Sequence, residues 1–380
     1  MRMDKRFLER WKMFLFPAVV EGALIYGTVM ELMPEPSWLY FTGPYLVFLL
    51  LAGLRICIQG NNWKEWLFTV CMGGIALLSY RFSCERSVLL ITAGICYTKD
   101  VKLDRLLRWD LYIRVFLAVL FLVLPMAGVI PNHMGIMVGG RPRTFFGWNH
   151  PNSMGRCVML ICMEWMYFRH GRFRWYDYAG LAGITIFLDM TANSRAAEFL
   201  IVGMIGLELL SMLERRIMKT NCRVWTILTA SSLTASILLP LFSVLFYEQW
   251  SKISWAALDT IVSRMYLTWD FLQVHGLSLF GSAYILDSNE YLDMFFASVV
   301  LLRGLVFGLI VIGLSVLAIC YAWKRRDERY MLLLFVFFAY GMMESEYFRM
   351  IYTFFPALLG IPVFNRWQRE RPEPYEHMKG

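Results

Sequence analysis

The sequence predicts an all-α, polytopic integral membrane protein, because its composition and hydropathy do not suit a soluble fold. Of its 380 residues, 58% are hydrophobic and only 17% are charged, whereas soluble domains average about 25% charged residues. The mean hydropathy is +0.51. A soluble protein would need to bury this apolar excess in one core, and single cores stop growing at roughly 250–300 residues. The same composition excludes a disordered chain, a coiled coil and a disulfide-stapled mini-protein.

Twelve apolar stretches approach the length of about 20 residues that a helix needs to cross a bilayer. They lack the alternation of a membrane barrel strand. We therefore predict one multi-pass membrane domain over residues 1–380, with about twelve spans. The predicted spans, numbered one to twelve in chain order, cover residues 13–33, 38–58, 65–80, 84–98, 110–131, 152–168, 176–190, 196–213, 224–246, 293–322, 330–345 and 347–364.

The basic residues indicate how these spans are oriented. If the N-terminus lies in the cytoplasm, 26 of the 37 lysines and arginines fall in cytoplasmic segments, seven in external loops and four in or beside spans. Cytoplasmic loops carry such an excess of positive charge. The sequence thus predicts that both termini, including a tail over 366–380, lie on the cytoplasmic side of the cell membrane. Because the net charge of +8 is spread over short runs, it does not indicate nucleic-acid binding.

Two predicted external segments are longer than a turn, about 132–151 and 247–291, the second lying between spans nine and ten. In the second, apolar residues recur at helical spacing. That pattern fits a helix lying along the membrane surface or a helix packed on the bundle. The apolar positions are Trp255, Leu258, Ile261, Val262, Met265, Trp269 and Leu272.

Polar residues from four external segments gather on the predicted outer face. Ionisable groups at membrane depth are costly and usually mark a functional site. Arginines from several loops suit an anion with several oxygens, because the guanidinium fork matches phosphate, although any one of them also fits a lipid headgroup contact. The set comprises Arg141, Arg143, Asn149, His150, Asn152, Asp189, Asn193, Ser194, Arg195, Glu198, Arg264, Asp287, Asn289, Glu290, Asp293, Glu344, Glu346 and Arg349.

The segment RPRTFFGWNHPNSMG at 141–155 is the most distinctive part of this set. Asn152 and Ser153 are predicted to cap the helix that follows Pro151, and Arg156 lies in its first turn. A histidine at position 150 has a pKa suited to a general base, or it serves as a simple hydrogen-bonding residue.

The sequence carries no motif for a nucleotide, a hydrolase nucleophile or a metal. It has no Walker loop, GxSxG or HExxH, and its eight cysteines form no CxxC pair or Cys/His set at metal spacing. Residues 287–293 either chelate a cation or, as we favour, cap span ten with acidic residues at the positive end of its dipole. No cofactor is expected.

Six motifs follow one another along the predicted outer side: GWNHPNSMG (147–155), TANSRAAEF (191–199), SRMYLTW (263–269), LFGSAY (279–284), DSNEYLDMFFASVVLLRGLVFG (287–308) and YGMMESEYFR (340–349). Together, these motifs resemble those of the O-antigen polymerase and ligase-like superfamily. They fall within 141–349, over half of the chain, and differ from the family at Gly281-Ser-Ala, where Gly-x-Gly is usual, and in extra residues within Asp287–Tyr291. These departures leave the donor and acceptor sugars open.

The resemblance implies a fold like that of GT-C-type glycosyltransferases and the transfer of a glycan from undecaprenyl pyrophosphate to a sugar hydroxyl of another lipid-linked unit. It implies lipid-linked oligosaccharides and membrane lipids as partners, with a flippase and a chain-length regulator of the same pathway. In this interpretation His150 is the base, with Glu344 in reserve. The pyrophosphate arginines are Arg141, Arg143, Arg195 and Arg264, and the supporting residues are Asn152, Ser194, Asp287, Asn289 and Tyr291.

Two other functions fit the same sequence. Within the family, a ligase passes finished glycan to another acceptor. Outside it, a flippase or transporter also has about twelve helices, but should place polar residues near the bilayer midplane on broken helices. Here the polar residues cluster at one face, which favours the transferase; the exceptions within spans are Glu21, Glu164, Glu208 and Arg303.

Overall fold

The computed structural model describes residues 15, 18–27, 38–136, 142–217, 223–250, 259–283, 292–345 and 352–369. These residues are mostly helical, and five of their helices are long and apolar enough to cross a membrane: α3, α5, α8, α9 and α12, bounded below. This confirms a helical, membrane-embedded protein. Four shorter apolar helices, of 10–17 residues, accompany them.

In chain order, the described elements are α1 (Ala18–Gly27), α2 (Trp38–Ile58), α3 (Trp63–Ser83), α4 (Ser87–Cys96), α5 (Leu103–Met126), β1 (His133–Ile136), β2 (Pro142–Phe146), α6 (Pro151–Arg169), α7 (Trp175–Met190), α8 (Arg195–Ile217), α9 (Arg223–Trp250), α10 (Asp259–His275), α11 (Phe295–Ala297), α12 (Leu305–Arg325), α13 (Glu328–Gly341) and α14 (Phe355–Arg369).

Helix α13 lies at the centre of the bundle. Every one of its residues except Arg329 and Phe335 is buried, and it packs against α6, α8, α9 and α12. Its sequence is apolar on all sides over residues 331–339, as is expected of a helix that is enclosed rather than amphipathic. Helices α6 and α8, which carry part of the candidate site, are therefore packed on one shared core element.

The predicted span over 293–322 is wrong in its first part. Helix α11 continues into a π-helical turn over Ser298–Leu302, and the chain then breaks at Gly304 before α12. Gly304 has a φ of 99°, and a Cβ there would lie 2.5 Å from Cα of Phe280. The N–H groups of Leu305 and Val306 donate to carbonyls of residues 278 and 279. The break thus seats the 278–282 segment on the start of α12.

The helix expected within the second external segment is α10, and it packs on the bundle rather than lying alone on the membrane surface. Its Met265 and Phe271 are buried in a small core with residues that precede and follow α11. The ring of Trp269 stacks on Tyr247 of α9, with centroids 5.1 Å apart. Trp255 and Leu258 lie outside the described residues.

The first external segment contains an antiparallel hairpin, β1–β2, that was not predicted. The N–H of Thr144 in β2 donates to the carbonyl of Thr191 at 3.2 Å, and the N–H of Gly147 donates to Phe121 at 3.0 Å. Strand β2 is thereby tied to the α7–α8 turn and to the end of α5. This attachment places Arg143 over the helix ends.

Candidate functional site

His150 caps the first turn of α6. Its backbone is extended, and its Nδ1 accepts a hydrogen bond from the N–H of Asn152 at 3.1 Å. Pro151 occupies the first helical position, where its fixed φ and missing N–H suit a helix start. The prediction that Asn152 and Ser153 provide this cap is therefore wrong, because the helix begins one residue before them.

The charge state of His150 follows from its neighbours. Partial desolvation of the ring, together with the positive charges of Arg156 and Arg143, lowers the pKa of His150 below its usual range. The ring is therefore neutral at neutral pH. Because Nδ1 accepts from Asn152, the proton of the neutral ring sits on Nε2. In this geometry His150 offers a hydrogen-bond donor rather than a base.

Asn152, Arg264 and Glu344 come from three separate elements and meet at one carboxylate oxygen. The Asn152 amide donates to Oε1 of Glu344 at 2.6 Å, and a terminal nitrogen of Arg264 lies 3.5 Å from the same oxygen. Nε of Arg264 also donates to the carbonyl of Met343 at 2.7 Å. Glu344 is buried. The structure thus brings together three residues that the sequence could only place on one predicted face.

Asp293 belongs to this group as well. Its Oδ2 lies 3.5 Å from Nε of Arg264. The expectation that acidic residues of 287–293 cap a helix is wrong for Asp293, because α11 starts two residues later with Met294 as its N-cap and no side-chain cap. Arg264 instead contacts two acidic side chains, Asp293 and Glu344, from separate segments.

Arg143 and Arg195 form a second group at the start of α8. Burial and the charge of Arg195 lower the pKa of Arg143, while Glu198 opposes this effect. Three buried atoms of this group, Nε of Arg143, Oγ of Ser194 and Oε1 of Glu198, have no hydrogen-bond partner among the described residues. Leaving buried polar atoms unpaired is costly. The Nε of Arg143 and the Oε1 of Glu198 suit a polar ligand that supplies an acceptor to the first and a donor to the second.

Gly155 allows this second group to approach α6. A Cβ at Gly155 would lie 2.2 Å from Oγ of Ser194 and 3.2 Å from Cβ of Ala197. Ser194 is accordingly buried at the contact between α6 and α8. Ser194, predicted as a supporting residue, thus lies at a close contact between two helices.

Arg156 lies between the two groups. Its guanidinium stacks over the ring of Tyr352, 4.0 Å from the centroid, and its charge acts on His150 and on Tyr340. The charge of Arg264 acts on the same Tyr340. The sequence identified Arg156 only as a first-turn residue. Seven residues that the sequence placed at the site lie outside the described ranges: Arg141, Asp287, Asn289, Glu290, Tyr291, Glu346 and Arg349.

A buried charged cluster adjoins the site within the helices. Nε of Arg114 lies 2.6 Å from Oδ2 of Asp110 and 3.4 Å from Oε1 of Glu164. The carboxyl group of Glu21 interacts electrostatically with Asp110 and Arg114. Arg114 also donates to the carbonyl of Tyr352 at 2.8 Å. The sequence singled out Glu21 and Glu164 but missed Asp110, although its spacing of four from Arg114 was the available signal.

The site's chemistry is that of arginines, carboxylates and amides. Within the described ranges, no group of three or more His, Cys, Asp or Glu side chains is arranged to hold a metal ion.

Comparison of the whole chain with protein families, with curated proteins and with solved structures gives no match.

Proposed function

We propose that this protein is a glycosyltransferase that polymerises surface polysaccharide repeat units carried on undecaprenyl pyrophosphate. One observation carries the proposal: a buried carboxylate, Glu344, is held by Asn152 and Arg264 at the same end of the bundle as the cationic Arg143–Arg195 group. A base beside a site for a polyanionic leaving group is what transfer from a lipid pyrophosphate to a hydroxyl requires.

In the proposed reaction, the acceptor hydroxyl gives its proton to Glu344 as its oxygen attacks the anomeric carbon of the donor glycan. The bond from that carbon to the pyrophosphate oxygen breaks, and the electron pair leaves with the pyrophosphate. Arg143 and Arg195 stabilise the charge that develops there. His150 donates from Nε2 to a substrate oxygen. This assignment makes Glu344 the leading base and reverses the order that the sequence favoured.

The proposal includes the finer topology. We propose about twelve spans, both termini in the cytoplasm, and a site that opens on the outer face of the cell membrane, in a fold similar to that of GT-C-type glycosyltransferases. The basic-residue asymmetry supports this orientation. Lipid-borne substrates would then reach the site from within the bilayer.

Two alternatives predict different products. A ligase would use the same site with another acceptor. The buried charges of Glu21, Asp110, Arg114 and Glu164 are the observation that supports a flippase or transporter, because intramembrane charges often mark transport pathways.

Deleting the gene and sizing the surface glycan separates these functions. Loss of a polymerase leaves single repeat units, loss of a ligase leaves polymer on its lipid carrier, and loss of a flippase leaves no exported glycan. Restoring the gene with Glu344→Gln should leave single units only. Glu248→Gln, at an exposed glutamate near the end of α9, should restore full-length polymer.

A further inference from the structure

Two neighbouring cavities lie at the end of α6 opposite the candidate site. Helix α6 has 19 residues, so its ends are about 28 Å apart. The first cavity, of about 650 Å³, lies among the start of α5, the end of α12 and the start of α13. We call it the basic cavity, because its lining includes Lys102, Arg105, Arg108, Arg325 and Arg329.

Positive charge is in excess in the basic cavity. Against these five cations its lining has two acidic residues, Asp104 and Asp327, and Asp104 accepts a hydrogen bond from the hydroxyl of Tyr167 at 2.6 Å. The guanidinium of Arg329 stacks over the Tyr167 ring at 5.2 Å, and that of Arg325 over Tyr321 at 5.1 Å. Such stacking positions the arginines along the wall. An anionic ligand is therefore favoured.

The second cavity is apolar and borders the first. This apolar groove, of about 560 Å³, lies among α5, α6 and α7 and is lined by residues such as Phe116, Ile161 and Ile184. Tyr112 lines both cavities. Trp109, which lines the basic cavity, and Tyr112 are exposed, as aromatic residues at a membrane–water interface are. The basic cavity and the apolar groove are thus neighbours that meet at Tyr112.

We propose that these two cavities together bind one anionic phospholipid, with its phosphate in the basic cavity and an acyl chain in the apolar groove. The excess of cations selects an anionic over a zwitterionic headgroup. The adjoining apolar groove favours a lipid over free phosphate, because free phosphate has no apolar chain to place in it. This assignment does not depend on the proposed polymerase activity, because the cavities lie at the other end of α6.

The test measures thermal stability of the purified full chain in detergent as lipid is added. The probes are phosphatidylglycerol and cardiolipin, with phosphatidylcholine and inorganic pyrophosphate for comparison. Arg105→Gln/Arg108→Gln removes two charges from the basic cavity, and Arg172→Gln/Arg216→Gln removes two exposed charges elsewhere. Gly180→Leu fills the groove, which Gly180 lines with open space around it, whereas Gly183→Leu adds the same side chain to α7 outside the groove lining.

We expect phosphatidylglycerol and cardiolipin to stabilise the wild type, while phosphatidylcholine and pyrophosphate do not. Arg105→Gln/Arg108→Gln and Gly180→Leu should each weaken the anionic lipid by about tenfold or more, and the two controls should bind as the wild type does. Equal losses in both arginine pairs, or in both glycine variants, would overturn the proposal. So would stabilisation by pyrophosphate that matches cardiolipin, which would assign the basic cavity to free phosphate. If a variant fails to fold, the comparison of the four probes on the wild-type protein still tests the proposal.

Discussion

At the scale of single residues, Arg264 shows why the site needs a guanidinium. Its Nε donates to the carbonyl of Met343, while a terminal nitrogen faces Glu344. These two contacts use different nitrogens of one planar group. A lysine has one compact ammonium on a flexible stem and cannot reproduce both directions.

We therefore predict that Arg264→Lys lowers the rate of glycan extension at least about tenfold, as Arg264→Ala does, because the orientation of Glu344 is lost. The measurement is chain extension by purified protein, with thermal stability recorded in parallel. Arg172→Lys, at an exposed arginine beyond the other end of α6, is the control and should keep wild-type activity. Near-normal extension by a stable Arg264→Lys would contradict the role of Arg264.

The sequence could predict several site residues but not their contacts. Polar residue types beside membrane spans single out Asn152, Arg264 and Glu344, since a position at the end of an apolar run can be read from the local sequence. That Asn152 donates to Glu344, or that Asp293 pairs with Arg264, depends on how distant helices pack. The cap supplied by His150 was missed because histidine is not a preferred cap residue.

At the scale of elements, Gly304 decides where α12 begins. Apart from its first residue, Asp293, the run over 293–322 carries one charge, Arg303, and a single charge does not by itself predict a break in a span. The break comes from the backbone of residues 278–282, which occupies the space that a straight helix would need. Tertiary contacts of this kind are invisible to a pattern of apolar residues.

Gly304→Ala should destabilise the protein by more than about 1 kcal/mol, because residue 304 has a positive φ that a residue with a Cβ disfavours and the added Cβ would overlap Phe280. Gly313→Ala is the matched control within α12, where a Cβ meets open space; it should be neutral or stabilising by up to about 1 kcal/mol. Thermal unfolding in detergent measures both. Equal effects would show that the Gly304 contact does not constrain the fold.

His170 joins three elements at the end of α6. Its Nδ1 lies 2.6 Å from Glu208 of α8, and its Nε2 lies 2.7 Å from Glu328 of α13; Arg215 also contacts Glu328 at 2.6 Å. Burial alone lowers the pKa of His170, but the hydrogen bonds and charges of the two glutamates outweigh it and raise that pKa. Glu208, an isolated charge in the sequence, is thus paired.

This arrangement makes stability depend on pH with a defined sign. A histidine whose pKa is raised on folding stabilises the protein fully below its unfolded pKa of about 6.5, and the contribution is lost as pH rises through the higher folded value. The stability difference between wild type and His170→Gln should therefore shrink as pH increases across that range. Unfolding curves at several pH values measure this stability difference. His133→Gln is the control, because it removes an imidazole at another position. A difference that grows with pH would contradict the pairing.

At the scale of the whole molecule, the class of fold follows from composition, whereas several boundaries do not. Hydropathy predicts a helical membrane protein, and the structure has five helices that are long and apolar enough to cross a membrane. The β1–β2 hairpin has four and five residues, too short for its alternation to stand out. Lys99, expected in a cytoplasmic loop, is instead buried, and its Nζ lies 2.6 Å from Oε2 of Glu65. This buried carboxylate offsets the cost of burying the lysine's charge.

The proposed orientation predicts which surface residues face the cytoplasm. In a background without native cysteines, cysteines placed at Lys102, Arg172 and Arg325, all exposed, should resist a membrane-impermeant thiol reagent in intact cells. A cysteine at Asn132, also exposed, should react. Reaction at the first three positions from outside would reverse the topology and place the candidate site in the cytoplasm.

The most direct test of the proposed function uses the protein's own substrate. Lipid-linked repeat units extracted from the deletion strain are incubated with purified protein, and the products are resolved by length. We predict a ladder of longer glycans that remain on the lipid carrier, lost with Glu344→Gln, which keeps an acceptor for Asn152 but cannot take a proton, and retained with Glu248→Gln. A folded wild type that makes no ladder, or a Glu344→Gln variant that extends chains at the wild-type rate, would contradict it.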